Sequence, residues 1–203
     1  MFKKIFFIFF FLVAFFITLL TVAPIDKLKE IGYRSFIAQQ QIPEDYVELY
    51  QEAASEYDIP WELLASVHRV ETIFSTMDPM VSPVGALGHF QFMPRTWVGW
   101  THPGGALGEM DEDIDITDLD LIADHGGYGV DGDGDGIADP FNIVDATHSA
   151  AKYLADHGAR DGDYEKALFA YNQSQDYVDE VMKYFNQYND EFELITLRNV
   201  YEY

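Results

Sequence analysis

Apolar positions follow two different patterns along the chain. From Ile5 to Ile25 the stretch IFFIFFFLVAFFITLLTVAPI carries no charge. At 1.5 Å per residue such a run crosses a hydrocarbon core of ~30 Å, and it predicts a transmembrane helix. From Pro43 onward the apolar residues instead recur at helical spacing. Tyr46, Leu49, Tyr50 and Ala53 make a stripe in PEDYVELYQEAASEYD, with Pro43 in the first turn and Glu44 and Asp45 at the positive end of the dipole. DIPWELLASVHRVET predicts a second helix, with Asp58 as N-cap and Pro60 in the first turn. Its Leu64, Val67 and Glu71 fall at i, i+3 and i+7, so an acid continues an apolar stripe. PRTWVGW predicts a short helix, and three more helices are expected over about 142–157, 161–172 and 175–188. Residues 77–93 read as loop, and 101–141 as a long acidic, Gly-rich loop. No strand pair or repeat stands out, and the tail EFELITLRNVYEY alternates only weakly, as a short strand or an extended arm would. The fold class is mainly α.

Charge and composition set the compartment. Lys3 and Lys4 precede the apolar run, so its N-terminus is expected in the cytoplasm and the rest outside, as a single-pass protein of the cell membrane. A cleaved signal peptide is the competing reading, but its apolar core is usually only ~7–15 residues, and Pro24 follows the small-residue site TVA. The expected division is 1–25 cytoplasmic stub and anchor, 26–42 stalk or lead-in, 43–190 one catalytic domain, and 191–203 tail. There are no cysteines, so packing and any bound ion must hold the domain. A net charge of −23 disfavours a nucleic-acid partner. Residues 101–145 hold 13 Asp and Glu and no Lys or Arg, a local excess that either repels itself or gathers a cation.

Glu71 carries the candidate chemistry. Apolar neighbours and a helix C-terminus both disfavour its anion, so both raise its pKa. A carboxylic acid kept protonated near neutrality can protonate a glycosidic oxygen. A buried structural glutamate, bonded to backbone or to a tyrosine, is the plainer reading of the helix alone. The loop that follows, SPVGALGHFQFMP, adds small residues that let a sugar ring lie against backbone, and the amide of Gln91 can bond ligand oxygens.

Glu71, Ser82, Gly85, Ala86, Gly88, Gln91, Pro94 and Thr96 occur in the pattern E…S-x-x-G-A-x-G-x-x-Q-x-x-P-x-T, and Ala170, Tyr171 and Asn172 follow as A-Y-N. This combination resembles the lysozyme-like lytic transglycosylases of bacterial cell walls, over about residues 45–188. The resemblance implies a lysozyme-like domain acting on peptidoglycan glycan strands. It implies that Glu71 is a single catalytic acid and then base, cleaving after N-acetylmuramic acid with closure of a 1,6-anhydro ring. Ser82, Gly85, Ala86, Gln91, Tyr171 and Asn172 would bind or position the sugars. One departure is mild: Thr72 stands where the family often has Ser, and a hydroxyl is kept. Hydrolysis by a water held on a second carboxylate, such as Asp78, stays open as a muramidase reading. A catalytically inactive wall-binding module is the third alternative.

The stretch DGDGDGIADPFNIVD, residues 131–145, begins like an EF-hand calcium loop, with Asp at positions one, three and five and Gly at six. Position twelve is Asn142 rather than Glu, so the standard motif fails, and Asp145 follows at fifteen. The segment resembles a transglycosylase subgroup in which the loop is lengthened and a later Asp completes the site. That implies a structural Ca2+ held by Asp131, Asp133, Asp135 and Asp145 with the carbonyl of Ile137. A flexible acidic turn, with Asp145 as a first-turn helix acid, is the alternative. Trp61, Trp97 and Trp100 are expected in the core or lining the cleft.

Overall fold

A computed structural model describes residues 37, 39–110 and 113–197. The expected anchor at 1–25, nearly all of the lead-in before residue 39, and the tail beyond 197 lie outside the described residues. Among the described residues no helix is long and apolar enough to cross a membrane.

The described chain is mainly helical. A short strand β1 (Gln41–Pro43) leads into α1 (Glu44–Tyr57) and α2 (Trp61–Thr72). Then come the short α3 (Pro94–Val98) and α4 (Leu119–His125), the core helix α5 (Ile143–Asp156), a 3-10 turn at Ala159–Asp161, α6 (Tyr164–Tyr171), α7 (Gln175–Asp190) and strand β2 (Glu193–Ile195). α2 packs against α1, α5 and α7, so the helix ending at Glu71 and Thr72 lies at the centre. Leu63, Leu64, Ala65 and Val67 on α2 are fully buried, as are Ala146, Ala150, Ala151 and Leu154 on α5. The small residues of α5 let neighbouring backbones approach closely.

Several expectations change. β1 and β2 do pair, in parallel, with Ile42 opposite Leu194, so chain segments far apart in sequence close one edge of the core. Three residues per strand are too few to show alternation. Asp58 does not cap α2; it ends α1 in the left-handed conformation (φ 57°) with its N–H on the Ala54 carbonyl, and Pro60 takes the N-cap position of α2. Asp is among the few side chains that tolerate that conformation. The acidic stretch 101–141 contains α4, capped by Asp118, whose side chain accepts from the Asp120 and Leu121 N–H groups. Only Ile122 of α4 is buried, so no apolar stripe announced it. Trp97 is fully buried. Trp100 is exposed, with the Arg95 guanidinium 4.5 Å from its ring, and Trp61 meets Phe192 edge-on.

Candidate functional site

α2 stops abruptly one residue after Glu71. Ile73, Phe74 and Ser75 all adopt positive φ, at 52°, 57° and 64°. Such residues cost about 1–3 kcal/mol each and persist only where the surroundings fix them. Here the fixing groups are visible. The Ile73 and Phe74 N–H groups donate to the Arg69 and His68 carbonyls, and both side chains are buried. The Thr72 hydroxyl donates to the His89 carbonyl at 2.8 Å and accepts the Ser75 N–H at 3.1 Å. The hydroxyl kept at position 72 therefore ties the end of α2 to the following loop.

Glu71 is partly buried at this helix end. Burial pushes its carboxyl up to about 8 from a reference of 4.5, and the nearby Tyr177 hydroxyl partly opposes this. That hydroxyl is buried and reaches no partner with ordinary hydrogen-bond geometry. Tyr177 and Tyr171 are both held well above their usual pKa, mainly by burial and then by the Glu71 charge. Glu71 thus sits among neutral aromatic hydroxyls. Arg69, two residues earlier, points away: its guanidinium donates to the Ile37 and Gln41 carbonyls and to the Tyr188 hydroxyl.

The loop that follows is built by its own small residues. The Ser82 N–H donates to the Ala86 carbonyl, and the Ser82 hydroxyl accepts the Ala86 N–H, both at 2.9 Å. Gly85 turns between them with φ 87°. Isolated antiparallel bridges join Val81 to Leu87 and Leu87 to Phe92. Gly88 admits no side chain, because a Cβ there would lie 1.7 Å from the Pro140 carbonyl oxygen. Gln91 takes φ 50° and its amide nitrogen donates to the Gly88 carbonyl at 2.7 Å, leaving its carbonyl oxygen for other partners. Ser82 therefore closes a turn, a role that its sequence position alone did not distinguish from ligand binding.

Tyr171 comes from the end of α6 and donates to the Phe90 carbonyl at 2.7 Å, which joins the A-Y-N segment to this loop. The Tyr153 hydroxyl holds the same segment through the Ala170 carbonyl at 2.8 Å. Asn172, just past α6, is exposed. Gln91, Phe92, Met93, Thr96, Tyr153 and Tyr171 line a pocket of about 50 Å³, which suits one small substituent rather than a whole ring. Asp78 is exposed in the turn before the loop. Tyr177, beside Glu71, is not among the candidates the sequence offers; its place in the first turn of α7 is expected only as part of a helix.

The acidic loop gathers Asp131, Asp133 and Asp145, whose carboxylate oxygens lie within 4.8 Å of one another and can hold a metal ion. Asp135 is not in that group; its carboxylate accepts the Ile137 N–H. Asp145 is fully buried in the first turn of α5 and accepts the Gly132 and Asp139 N–H groups at 2.8 Å each. Burial raises its pKa, and Asp133 adds to this, against those backbone donors. Three converging acids with one of them buried fit a hard cation, which prefers oxygen donors. Asn142, at the failed position twelve, caps α5 through the Val144 N–H and donates to Asp133 at 2.7 Å.

No protein-family model and no solved structure matches the chain. One curated relative is the L-Ala–D-Glu endopeptidase of Bacillus subtilis (strain 168), 27% identical over 146 residues. That match covers 70% of this chain but only 42% of the relative, so the chain spans less than half of the relative's length.

Proposed function

We propose that the chain is a peptidoglycan lytic transglycosylase of lysozyme-like fold. Glu71 protonates the oxygen of the β-1,4 bond between N-acetylmuramic acid and N-acetylglucosamine, and that bond breaks. The carboxylate left behind then takes the proton from the muramic acid 6-hydroxyl as its oxygen closes the 1,6-anhydro ring on C1. One carboxyl group thus serves as acid and then base. The observation that carries this reading is the Glu71 carboxyl pushed up to about 8 at a strained helix end, which Thr72 ties to the loop of small residues. The relative supports a cell-wall substrate, since an L-Ala–D-Glu bond belongs to wall peptides. A structural Ca2+ at Asp131, Asp133 and Asp145 would staple the acidic loop. With the anchor at 5–25, the domain would work on the outer side of the cell membrane.

For amide hydrolysis, the relative's named chemistry, neither a cysteine nucleophile nor a zinc-type cluster is found among the described residues. The chain has no cysteine nucleophile. Among the described residues the only three-membered His, Cys, Asp or Glu cluster is all carboxylate, without the imidazole or thiolate that zinc favours. The test is to incubate the full chain with peptidoglycan and weigh the products. Anhydro-muropeptides support transglycosylation. Products heavier by one water support a muramidase, and new amino termini on stem peptides support a peptidase. Glycan cleavage that persists in Glu71→Gln removes the proposed mechanism.

A further inference from the structure

Four side chains outside the proposed chemistry form one continuous line that passes through His68 of α2. The Tyr50 hydroxyl lies 2.6 Å from His68 Nδ1. His68 Nε2 lies 2.7 Å from Ser75 Oγ. Ser75 Oγ lies 2.6 Å from His89 Nδ1, and His89 Nε2 lies 2.8 Å from the Phe141 carbonyl oxygen. Tyr50 and His68 are completely buried.

The ends of this line fix every proton in it. A carbonyl only accepts, so His89 Nε2 carries hydrogen and donates. In the neutral ring Nδ1 then accepts, and Ser75 must donate to it. Having spent its one hydrogen, Ser75 accepts from His68 Nε2–H. His68 Nδ1 in turn accepts from the Tyr50 hydroxyl. Each of the four contacts has one donor and one acceptor in this single polarity. Burial disfavours the charged form of both imidazoles, which agrees with neutral rings.

The line runs between two places that matter for the site. Ser75 is the last of the three strained residues that follow Glu71 and Thr72. Phe141 lies at the end of the acidic loop, just before α5. His89 also binds both by backbone: its N–H donates to the Pro140 carbonyl at 3.3 Å, and its carbonyl accepts from Thr72. We infer that Ser75 and His89 are positioning residues, a directional latch through which the seated end of the acidic loop holds the strained turn and so the reach of Glu71.

The consequence for catalysis rests on the transglycosylase reading; the latch itself does not. Two substitutions separate the latch from simple filling of space. His89→Gln can keep a donor near the Nε2 position for Phe141 but has no acceptor for Ser75. His89→Asn can keep an acceptor near the Nδ1 position but does not reach Phe141. Both break the line, so both should lower kcat on soluble glycan strands by roughly 10- to 100-fold with KM little changed, because misplacement of a catalytic group acts on the chemical step. Ser75→Ala should do the same, and Ser75→Ala with His89→Gln should be no worse than either alone. Long-range 1H–15N NMR of the full chain should show the Nε2–H tautomer at both His68 and His89. Amide exchange over 82–92 should quicken in Ser75→Ala. An Nδ1–H tautomer at His89, near wild-type kcat in the larger His89→Gln, additive losses in the double variant, or unchanged exchange would each overturn the latch. If the wild-type chain cleaves no glycan, the transglycosylase reading fails, and the tautomers and exchange decide the latch alone.

Discussion

Replacing Glu71 by Gln should stabilise the protein, and increasingly so as pH rises. The folded state holds the Glu71 proton more tightly than the unfolded chain, with a carboxyl at about 8 against 4.5. The contribution is therefore fully present below pH 4.5 and is lost as pH climbs through 8. At about 1.4 kcal/mol per pH unit, holding this group protonated in the fold while the unfolded chain ionises costs about 3 kcal/mol at pH 7, and the loss reaches about 5 kcal/mol above pH 8, where the folded group ionises too. These figures are ceilings, since Glu71 keeps some accessible surface and water there screens its charge. Gln matches the shape and cannot ionise, so it escapes the cost. The other carboxylates are common to both proteins and cancel in the difference. The assay is denaturant unfolding of wild type and Glu71→Gln from about pH 3 to 9, at one saturating calcium concentration. The difference should be constant in acid and then grow in favour of Gln by up to about 3 kcal/mol at pH 7. That corresponds to a rise in Tm of about 6–12 °C for a chain of this size. A difference that stays flat across the range would refute the raised pKa, and with it the case for a protonated acid at neutrality.

Three further outcomes follow from the same geometry. Chelating divalent ions should lower Tm. At a free calcium concentration near 100 Kd the lost binding is worth about 2.7 kcal/mol, and an unchanged melting curve would count against a resident cation. Gly88→Ala places a methyl group on the Pro140 carbonyl at a positive φ, so it should destabilise the fold by more than about 1 kcal/mol in urea unfolding. A tolerated Ala there would mean that the two loops are not packed as described. Tyr177→Phe removes the hydroxyl that lowers the Glu71 pKa, so the alkaline limb of kcat/KM on glycan strands should move to higher pH; a shift to lower pH would contradict that contact.

The helices that bury a broad stripe were legible in the sequence because burial and periodicity coincide. α1, α2, α5 and α7 belong to this group, each within about two residues of its expected ends. α4 was not legible, since one buried Ile122 gives no period. Nor was the β1–β2 pair, whose register depends on segments more than a hundred residues apart. At the site, the position of Glu71 on an apolar stripe was readable, because the stripe is local. Its partners were not. Tyr177 reaches Glu71 from α7, and His89 reaches Ser75 only because three residues after α2 take conformations that no propensity favours. Polar contacts between elements distant in the chain leave no periodic trace.

The failed EF-hand position has a physical cause that joins the two loops. A ligand at position twelve would have to sit where α5 begins, and the chain uses that residue, Asn142, to cap the helix. The third converging acid is instead Asp145, one turn further on, where the N-terminal dipole of α5 favours its charge. Asp139, Pro140 and Phe141 are the residues just before that cap. Asp139 turns inward to Asp145, while the carbonyls of Pro140 and Phe141 face His89. The residues just before Asn142 therefore join both regions: the Asp139 N–H meets Asp145 of the acidic cluster, and the next two carbonyls accept from His89, whose own carbonyl and ring meet Thr72 and Ser75 after Glu71.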